Sequence, residues 1–343
     1  MVDKNTDFFK IVDNFEKTAK VASIQIIQSD LGFTPKVTIA IPTYKRADLL
    51  KETIDSAINQ VGYDNYDIIV VDNDPERNCE TEKLLQSYNN KRISYYKNTE
   101  NIGMAGNWNR LFELAKGEYV VMLHDDDLIM TNFLNVLSTV LHKNIDVLLS
   151  NLQIFDARSS NNELILSKRK YKSFYRYNYL DFYFNNHSGP PTGTCFKKSF
   201  FLKLKGFSHL EYPTLDLHFF LKATFYGKVY KLMSPSLVLY RILVNESQNL
   251  KTLEGFVCNN FKYRLLYSNN VNSFVLKKIL FSITCSITMF DIVHLSAYYN
   301  VDLKYLNEKL HINRSFNLFS YNIILIFYRL FYFYPKRVLG FYF

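Results

Sequence analysis

Cysteine is sparse and scattered in this chain. Cys79, Cys195, Cys258 and Cys285 form no CxxC pair and no Cys/His cluster, which argues against a disulfide framework or a zinc site and fits a reducing cytoplasm. The N-terminus lacks the apolar run of a secretory leader, because Lys4, Asp7, Lys10, Asp13 and Glu16 interrupt it, so nothing there marks the chain for secretion. No internal repeat is present. The first strand-like run is followed by PTYKR, not by the glycine-rich loop that a triphosphate-binding site requires. In the aromatic C-terminal tail the longest uninterrupted apolar stretch, Ile323 to Tyr328, is far short of the ~20 residues that span a bilayer.

What is present is ample apolar material. At 343 residues and 48% hydrophobic content, the chain can bury one large core or two modest ones. A formal charge of +9 and a pI near 9.1 favour acidic partners: nucleic acid, anionic lipid or a phosphorylated substrate. The 26 Tyr and 29 Phe crowd the C-terminal half, where such rings suit a membrane interface. A codon bias toward Phe, Tyr, Asn, Lys and Ile accounts for the totals equally well.

Hydrophobic periodicity predicts the organisation. Phe8, Ile11, Val12, Phe15, Ala19 and Ala22 lie at near-helical spacing, predicting a helix over residues 6–29 that Gly32 and Pro35 end. VTIAIP from Val37, YDIIVV from Tyr66 and EYVVML from Glu118 read as buried strands, with a shorter one at Arg92 to Tyr96 and another over residues 145–150. Helical faces lie between them: Ala47, Leu50, Ile54 and Ile58, then Trp108, Leu111, Phe112 and Ala115, then residues 131–142. A further helix begins near Leu215, and the chain looks helical from about residue 255. This alternation predicts an α/β fold with a doubly wound sheet and a ligand site beyond the carboxyl ends of its strands. Three polar clusters, TYKR, DND and HDDD, each follow a strand directly and would meet at one edge.

Asp125, Asp126 and Asp127 repel one another at a strand end. A hard divalent cation, Mg²⁺ or Mn²⁺, offsets that repulsion by taking one or two carboxylates together with substrate phosphates; a solvated acidic turn ahead of the next helix is the alternative. Asp72-Asn73-Asp74-Pro75 can read a base or ribose, or be an Asx turn. In the PTYKR segment, Tyr44 can stack on a base and Arg46 can meet phosphate.

Together these segments resemble the family 2 glycosyltransferases, inverting enzymes of the GT-A fold, a Rossmann-like, doubly wound mixed sheet. The resemblance covers about residues 36–245 and rests on the order and spacing of VTIAIPTYKR (37–46), DIIVVDNDPE (67–76), NIGMAGNWNRLFELAKGEYVVMLHDDDLI (101–129) and PTLDLHFFLKATFYGKVYKL (213–232). It implies a nucleotide-sugar site at Pro42, Thr43, Tyr44, Arg46, Asp72, Asn73, Asn101, Gly103, Asn107 and Asp125. The metal falls to Asp126 and Asp127. If the family's D-x-D is aligned on His124-Asp125-Asp126, His124 replaces the first acid and Asp126 is the main ligand; on Asp125-Asp126-Asp127 the motif is intact and Asp127 takes that role. Thr131, at a position where the family often has proline, favours Asp126.

Inverting transfer needs a base for the acceptor hydroxyl. The resemblance places it at Asp216, with Glu211 and Asp181 as fallbacks; without the resemblance, Asp216 is an acidic residue placed for a helix dipole. Relatives often carry Tyr-Arg-x-His where this chain has Tyr240-Arg241-Ile242-Leu243. Leu243 cannot bind metal or diphosphate, which leaves Arg241 or His218 as substitutes, although His218 reads as packed. His187 to Lys198 matches an acceptor-side loop or is a plain turn.

The tail from Ser315 to Phe343 predicts either an interfacial helix or a helix packed on the catalytic domain or a second subunit. The expected organisation is a helical extension over 1–35, the GT-A domain over 36–250 and a helical region over 251–343. Expected partners are a nucleotide-sugar donor, most often a UDP-sugar in this family, and a glycan or polyprenyl-diphosphate-linked glycan acceptor, as in O-antigen or capsule synthesis. The expected location is the cytoplasm, either free or peripheral on the inner face of the membrane. A nucleotidyltransferase would need the missing glycine-rich loop, and a nucleic-acid-binding protein has no use for three carboxylates at a strand end.

Overall fold

A computed structural model describes residues 10–156, 173–184, 189–242, 249–312 and 326. Leu243, residues 187–188 of the acceptor-side segment and the tail helix predicted from Ser315 lie outside the described residues.

In chain order the elements are β1 (Ser23–Ile27), β2 (Val37–Thr43), α1 (Ala47–Ile58), β3 (Tyr66–Asp72), α2 (Glu80–Ser87), β4 (Ile93–Asn98) and α3 (Gly103–Leu114). Then come β5 (Tyr119–Met122), β6 (Leu128–Ile129), α4 (Phe133–Leu141), β7 (Val147–Leu149), β8 (Leu152–Asp156), β9 (Ser173–Tyr177) and α5 (Tyr179–Phe184). The chain continues through β10 (Thr194–Lys197), α6 (Lys198–Lys203), α7 (Leu215–Tyr226), β11 (Val229–Ser234) and β12 (Val238–Ile242). It ends in α8 (Leu250–Asn269), α9 (Phe274–Tyr299) and α10 (Leu306–Lys309).

The main sheet runs β1-β4-β3-β2-β5-β10-β7-β11-β9, and a small second sheet runs β6-β12-β8. Strands β4, β3, β2 and β5 are mutually parallel, β10 is antiparallel to both its neighbours, and β1 and β9 close the edges antiparallel. This is the doubly wound sheet that the alternation predicts, mixed as the family resemblance implies, followed by a helical C-terminal region.

The central strands are apolar throughout because helices cover both faces. Val37, Ile39 and Ile41 of β2 face one core with Leu50, Ile54, Phe133 and Leu134 of α1 and α4. Ala40, pointing the other way, joins the second core, built from Leu111 and Phe112 of α3, Phe201 of α6 and Phe219 and Phe220 of α7. Five rings, of Phe112, Phe196, Phe201, Phe207 and Phe219, pack there edge-on and stacked. Gly117, between α3 and β5, lets the backbones touch: a Cβ there would stand 2.6 Å from the Thr38 nitrogen.

The helix predicted over residues 6–29 does not form in its described part. Residues Glu16–Thr18 make one 3₁₀ turn, and Ser23–Ile27 is a strand. Tertiary contacts override the local spacing. The open edge of β4 takes SIQII as a partner, Asn14 bonds the Lys205 carbonyl at 2.9 Å, and Phe15 meets Phe201 edge-on.

Among the described residues, α9 is long and apolar enough to cross a bilayer, but 44% of its most apolar stretch is buried inside the protein. Cys285 and Ile292 are buried within clusters shared with α8.

Phe201 is fully buried where those five rings meet. Phe201→Ala should cost about 3–5 kcal/mol of unfolding free energy in a urea titration; a loss under ~1 kcal/mol would mean that the ring is not packed as described.

Candidate active site

The parallel strands β3, β2 and β5 deliver their following loops to one cleft, a cavity of about 510 Å³. Pro42, Thr43, Tyr44 and Arg46 come from the end of β2, Asn73 from β3, and His124, Asp125 and Asp126 from β5. Asn101 and the start of α3 add Gly103, Met104, Asn107 and Trp108. Pro190, Pro191, Tyr212, Pro213, Asp216, Tyr240, Thr252 and Phe256 complete the lining.

The acidic loop is held from several sides. Thr43 Oγ1 donates to Asp125 Oδ2 at 2.8 Å, and Arg46 Nη1 lies 2.9 Å from Asp126 Oδ2 and 3.6 Å from Asp125 Oδ1. Asp127 is fully buried. Its Oδ1 accepts the Arg241 amide at 2.9 Å, and its carbonyl accepts Thr53 Oγ1 at 2.8 Å. Burial and then the neighbouring Asp126 charge push Asp125 up to about 6 and Asp127 up to about 8. Burial lowers His124, whose ring stacks on Trp108 at 5.3 Å.

Ligand atoms of His124, Asp126 and Asp127 all lie within 4.8 Å of one another. Two buried atoms among them, His124 Nε2 and Asp127 Oδ2, make no hydrogen bond. Buried polar atoms are ordinarily paired, so this donor set fits a divalent cation. The carboxylates suit Mg²⁺ or Mn²⁺, and an imidazole nitrogen beside them is a poor donor for Mg²⁺.

An asparagine network shapes the floor of the cleft. Asn73 Nδ2 donates to Asn101 Oδ1 at 2.7 Å, and Asn98 Nδ2 reaches both Asn73 Oδ1 at 3.1 Å and Asn107 Oδ1 at 3.0 Å. Asn107 in turn donates to the Val71 carbonyl at 3.1 Å. Asn98 carries no sequence signal, since it is simply the last residue of a strand.

Asp72, placed in the nucleotide site by resemblance, does not line the cavity. Its Oδ2 is taken by Lys97 Nζ at 2.9 Å and Tyr95 Oη at 2.8 Å, all three residues being buried. Asp127, fully buried, is not among the lining residues either, although its ligand atoms lie within 4.8 Å of those of His124 and Asp126. The other expected residues, Pro42, Thr43, Tyr44, Arg46, Asn73, Asn101, Gly103, Asn107, Asp125, Asp126 and Asp216, all line it.

Asp216 opens α7 and is partly buried. Desolvation pushes its carboxyl up to about 6, against the opposing hydrogen bonds of the Leu217 and Asp216 amides. The fallback bases are elsewhere. Asp181 is buried and caps α5 through the Asn178 amide at 2.7 Å. Glu211 accepts Tyr263 Oη at 2.8 Å and Lys262 Nζ at 3.1 Å. His218 is buried, with burial lowering it to about 3. Arg241 is turned beneath the loop, where it bonds the Asp126 carbonyl and Glu52. Neither reaches the cavity lining.

The family model for Glycosyl transferase family 2 matches residues 38–204, which include β2, the acidic loop and α3. Residues 38–204 are a family 2 glycosyltransferase domain. An uncharacterized glycosyltransferase of Methanocaldococcus jannaschii is 27% identical over 61% of this chain and 71% of its own length. Abequosyltransferase RfbV of Salmonella typhimurium is 27% identical over 44% of each chain. Among solved structures, S. aureus TarS 1-349 has a TM-score of 0.58 at 16% identity, covering 81% of this chain and 78% of its own; it has also been solved with UDP-GlcNAc. The GT-A architecture expected from the motifs is thus supported by relatives in fold, and the glycosyltransferase activity by relatives in sequence.

The Asp72–Lys97 pair is a structural element of this glycosyltransferase domain. Lys97→Met should cost about 3–5 kcal/mol by leaving a buried carboxylate unpaired. Lys97→Met combined with Asp72→Leu should recover most of that loss in the same urea titration.

Proposed function

We propose that this glycosyltransferase is an inverting, metal-dependent enzyme that transfers a sugar from a nucleotide-sugar, with UDP expected from the family, to a hydroxyl of a glycan acceptor. The observation that carries the reading is the cleft itself: the acidic loop after β5 and Asp216, raised in pKa by burial, line the same cavity.

In this reading Tyr44 and the asparagine floor receive the nucleoside, and Arg46 meets the diphosphate. Asp126, with His124 and Asp127, would hold the divalent cation. When bound, that cation offsets the charge building on the leaving diphosphate. Asp216 takes the proton from the acceptor hydroxyl as that oxygen attacks the anomeric carbon and the diphosphate leaves from the opposite face. The Salmonella relative's name and the chain's basic surface charge favour an acceptor in bacterial surface-glycan synthesis, a polyprenyl-diphosphate-linked oligosaccharide at the inner membrane face.

Release of nucleoside diphosphate from a panel of nucleotide sugars, with Mn²⁺ and with EDTA, tests the whole reading. Release should depend on metal; metal-independent release, or none with any donor, would overturn it. Asp126→Ala should abolish metal-dependent donor binding in calorimetry while the protein stays folded.

Asp216→Asn should leave donor affinity unchanged and lower kcat for transfer about 10²- to 10⁴-fold. The carboxylate form is the active one and exists above its pKa. Wild-type transfer should therefore fall as pH drops through about 6; because Asp125 lies in the same range, the comparison is made on kcat at saturating donor and metal, where Asp216→Asn should lack the limb. A variant with near-normal turnover would show that the base lies elsewhere.

A further inference from the structure

Two side chains of the cleft come from a helix beyond the family-matched segment. Thr252 and Phe256, four residues apart and so on one face of α8, line the wall that also carries Tyr212, Pro213 and Asp216.

The contact is built in detail. Asn259 Nδ2 donates to Thr214 Oγ1 at 2.9 Å and to the Glu211 and Tyr212 carbonyls at 3.4 Å. Tyr263 Oη lies 2.9 Å from Thr214 Oγ1 and donates to Glu211 at 2.8 Å, and Thr252 Oγ1 lies 3.3 Å from Tyr212 Oη. Gly255 is required by this approach, because a Cβ there would stand 2.5 Å from Pro213 Cδ. Helix α8 thus clasps the turn that leads directly into Asp216.

The chemistry of this wall is selective. Tyr212 keeps 43% of its surface exposed, and Phe256 is only partly buried. Two rings beside a carboxylate suit a ligand with one apolar face and a hydroxyl edge. Of Tyr212, Pro213, Asp216, Thr252 and Phe256, Asp216 is the one charged group; the other charged residues of the cavity lining, Arg46, Asp125 and Asp126, are paired with one another. A phosphate or carboxylate placed beside Asp216 would meet a like charge.

We propose that α8 builds an acceptor subsite for a neutral pyranoside, with Phe256 and Tyr212 packing against the C–H face of the sugar ring and Thr252 at its hydroxyl edge. This rests on the glycosyltransferase reading with Asp216 as base. It adds the acceptor's chemical class and makes α8 its specificity-determining element. Gly255, Asn259 and Tyr263 are positioning residues that hold the turn in register.

The experiment uses the full chain, the donor that gives the strongest nucleoside diphosphate release, and four neutral probes: octyl β-glycosides of glucose, galactose, mannose and N-acetylglucosamine. At least one should accept sugar, with glycerol 1-phosphate a poorer acceptor. Phe256→Ala should raise acceptor KM about 10- to 100-fold, the range expected for losing burial of an aromatic face. Its kcat should stay within threefold and its donor Kd within twofold, while Phe256→Tyr, which keeps the ring, should restore KM. If Phe256→Ala does not fold, saturation-transfer NMR on the wild type, reading aromatic-to-sugar contacts with each glycoside, gives the same decision. An acceptor KM within twofold of wild type in Phe256→Ala would overturn the subsite, as would a preference for glycerol 1-phosphate. Release of nucleoside diphosphate without transfer to any glycoside would overturn the subsite alone. No release with any donor would overturn the underlying reading and the subsite with it.

Discussion

Three consecutive carboxylates at the end of a buried strand are the constraint around which the rest of this cleft is arranged. Like charges at that separation cannot all ionise in a low-dielectric site without compensation. The protein distributes the compensation over distant parts of the chain. Thr43 and Arg46 come from the end of β2, Thr53 from α1, and the Arg241 amide from β12. Each tie also fixes a strand-end loop or the small second sheet to the acidic turn. Two atoms left without a hydrogen bond, His124 Nε2 and Asp127 Oδ2, belong to the residues whose ligand atoms lie within 4.8 Å of one another, a set that a cation would complete.

Two parts of the cleft have different physical origins. The part made by the strand-end loops is a property of the parallel sheet: adjacent strands end together, so their loops meet whatever the sequence between them. The part around Asp216 depends on no such regularity. It is assembled from the turn before α7 and from α8, which are distant in sequence and held by side-chain hydrogen bonds and one glycine contact. Variation in α8 can therefore alter this part of the lining without disturbing the strand-end loops.

Much of the strand-end part of the cleft was legible in the residues. VTIAIP and YDIIVV are apolar at every position because both sheet faces are covered, and the polar residues that follow them had to lie at the sheet's edge. Asp216 was legible only through resemblance, since an acid at a helix start has an ordinary electrostatic explanation. Asp72 shows the limit of carrying roles across by motif. Its position matches, but Lys97 and Tyr95, two strand residues with no distinguishing pattern, take its carboxylate inward. The N-terminal spacing misled for a related reason: the unpaired edge of β4 outweighs a weak helical period in a segment with few other contacts.

By itself, the sequence determined the alternating α/β order, the strand-end placement of TYKR, DND and HDDD, and the family. These depend on local periodicity and on side chains within one or two turns of each other. Only the tertiary structure decided that residues 23–27 form an edge strand, that Asp72 and Asp127 turn inward while Asn73 and Asp126 line the cleft, and that Thr252 and Phe256 belong to its wall. Those outcomes turn on which partner a side chain meets across tens of residues, and hydrophobic periodicity carries no record of such partners.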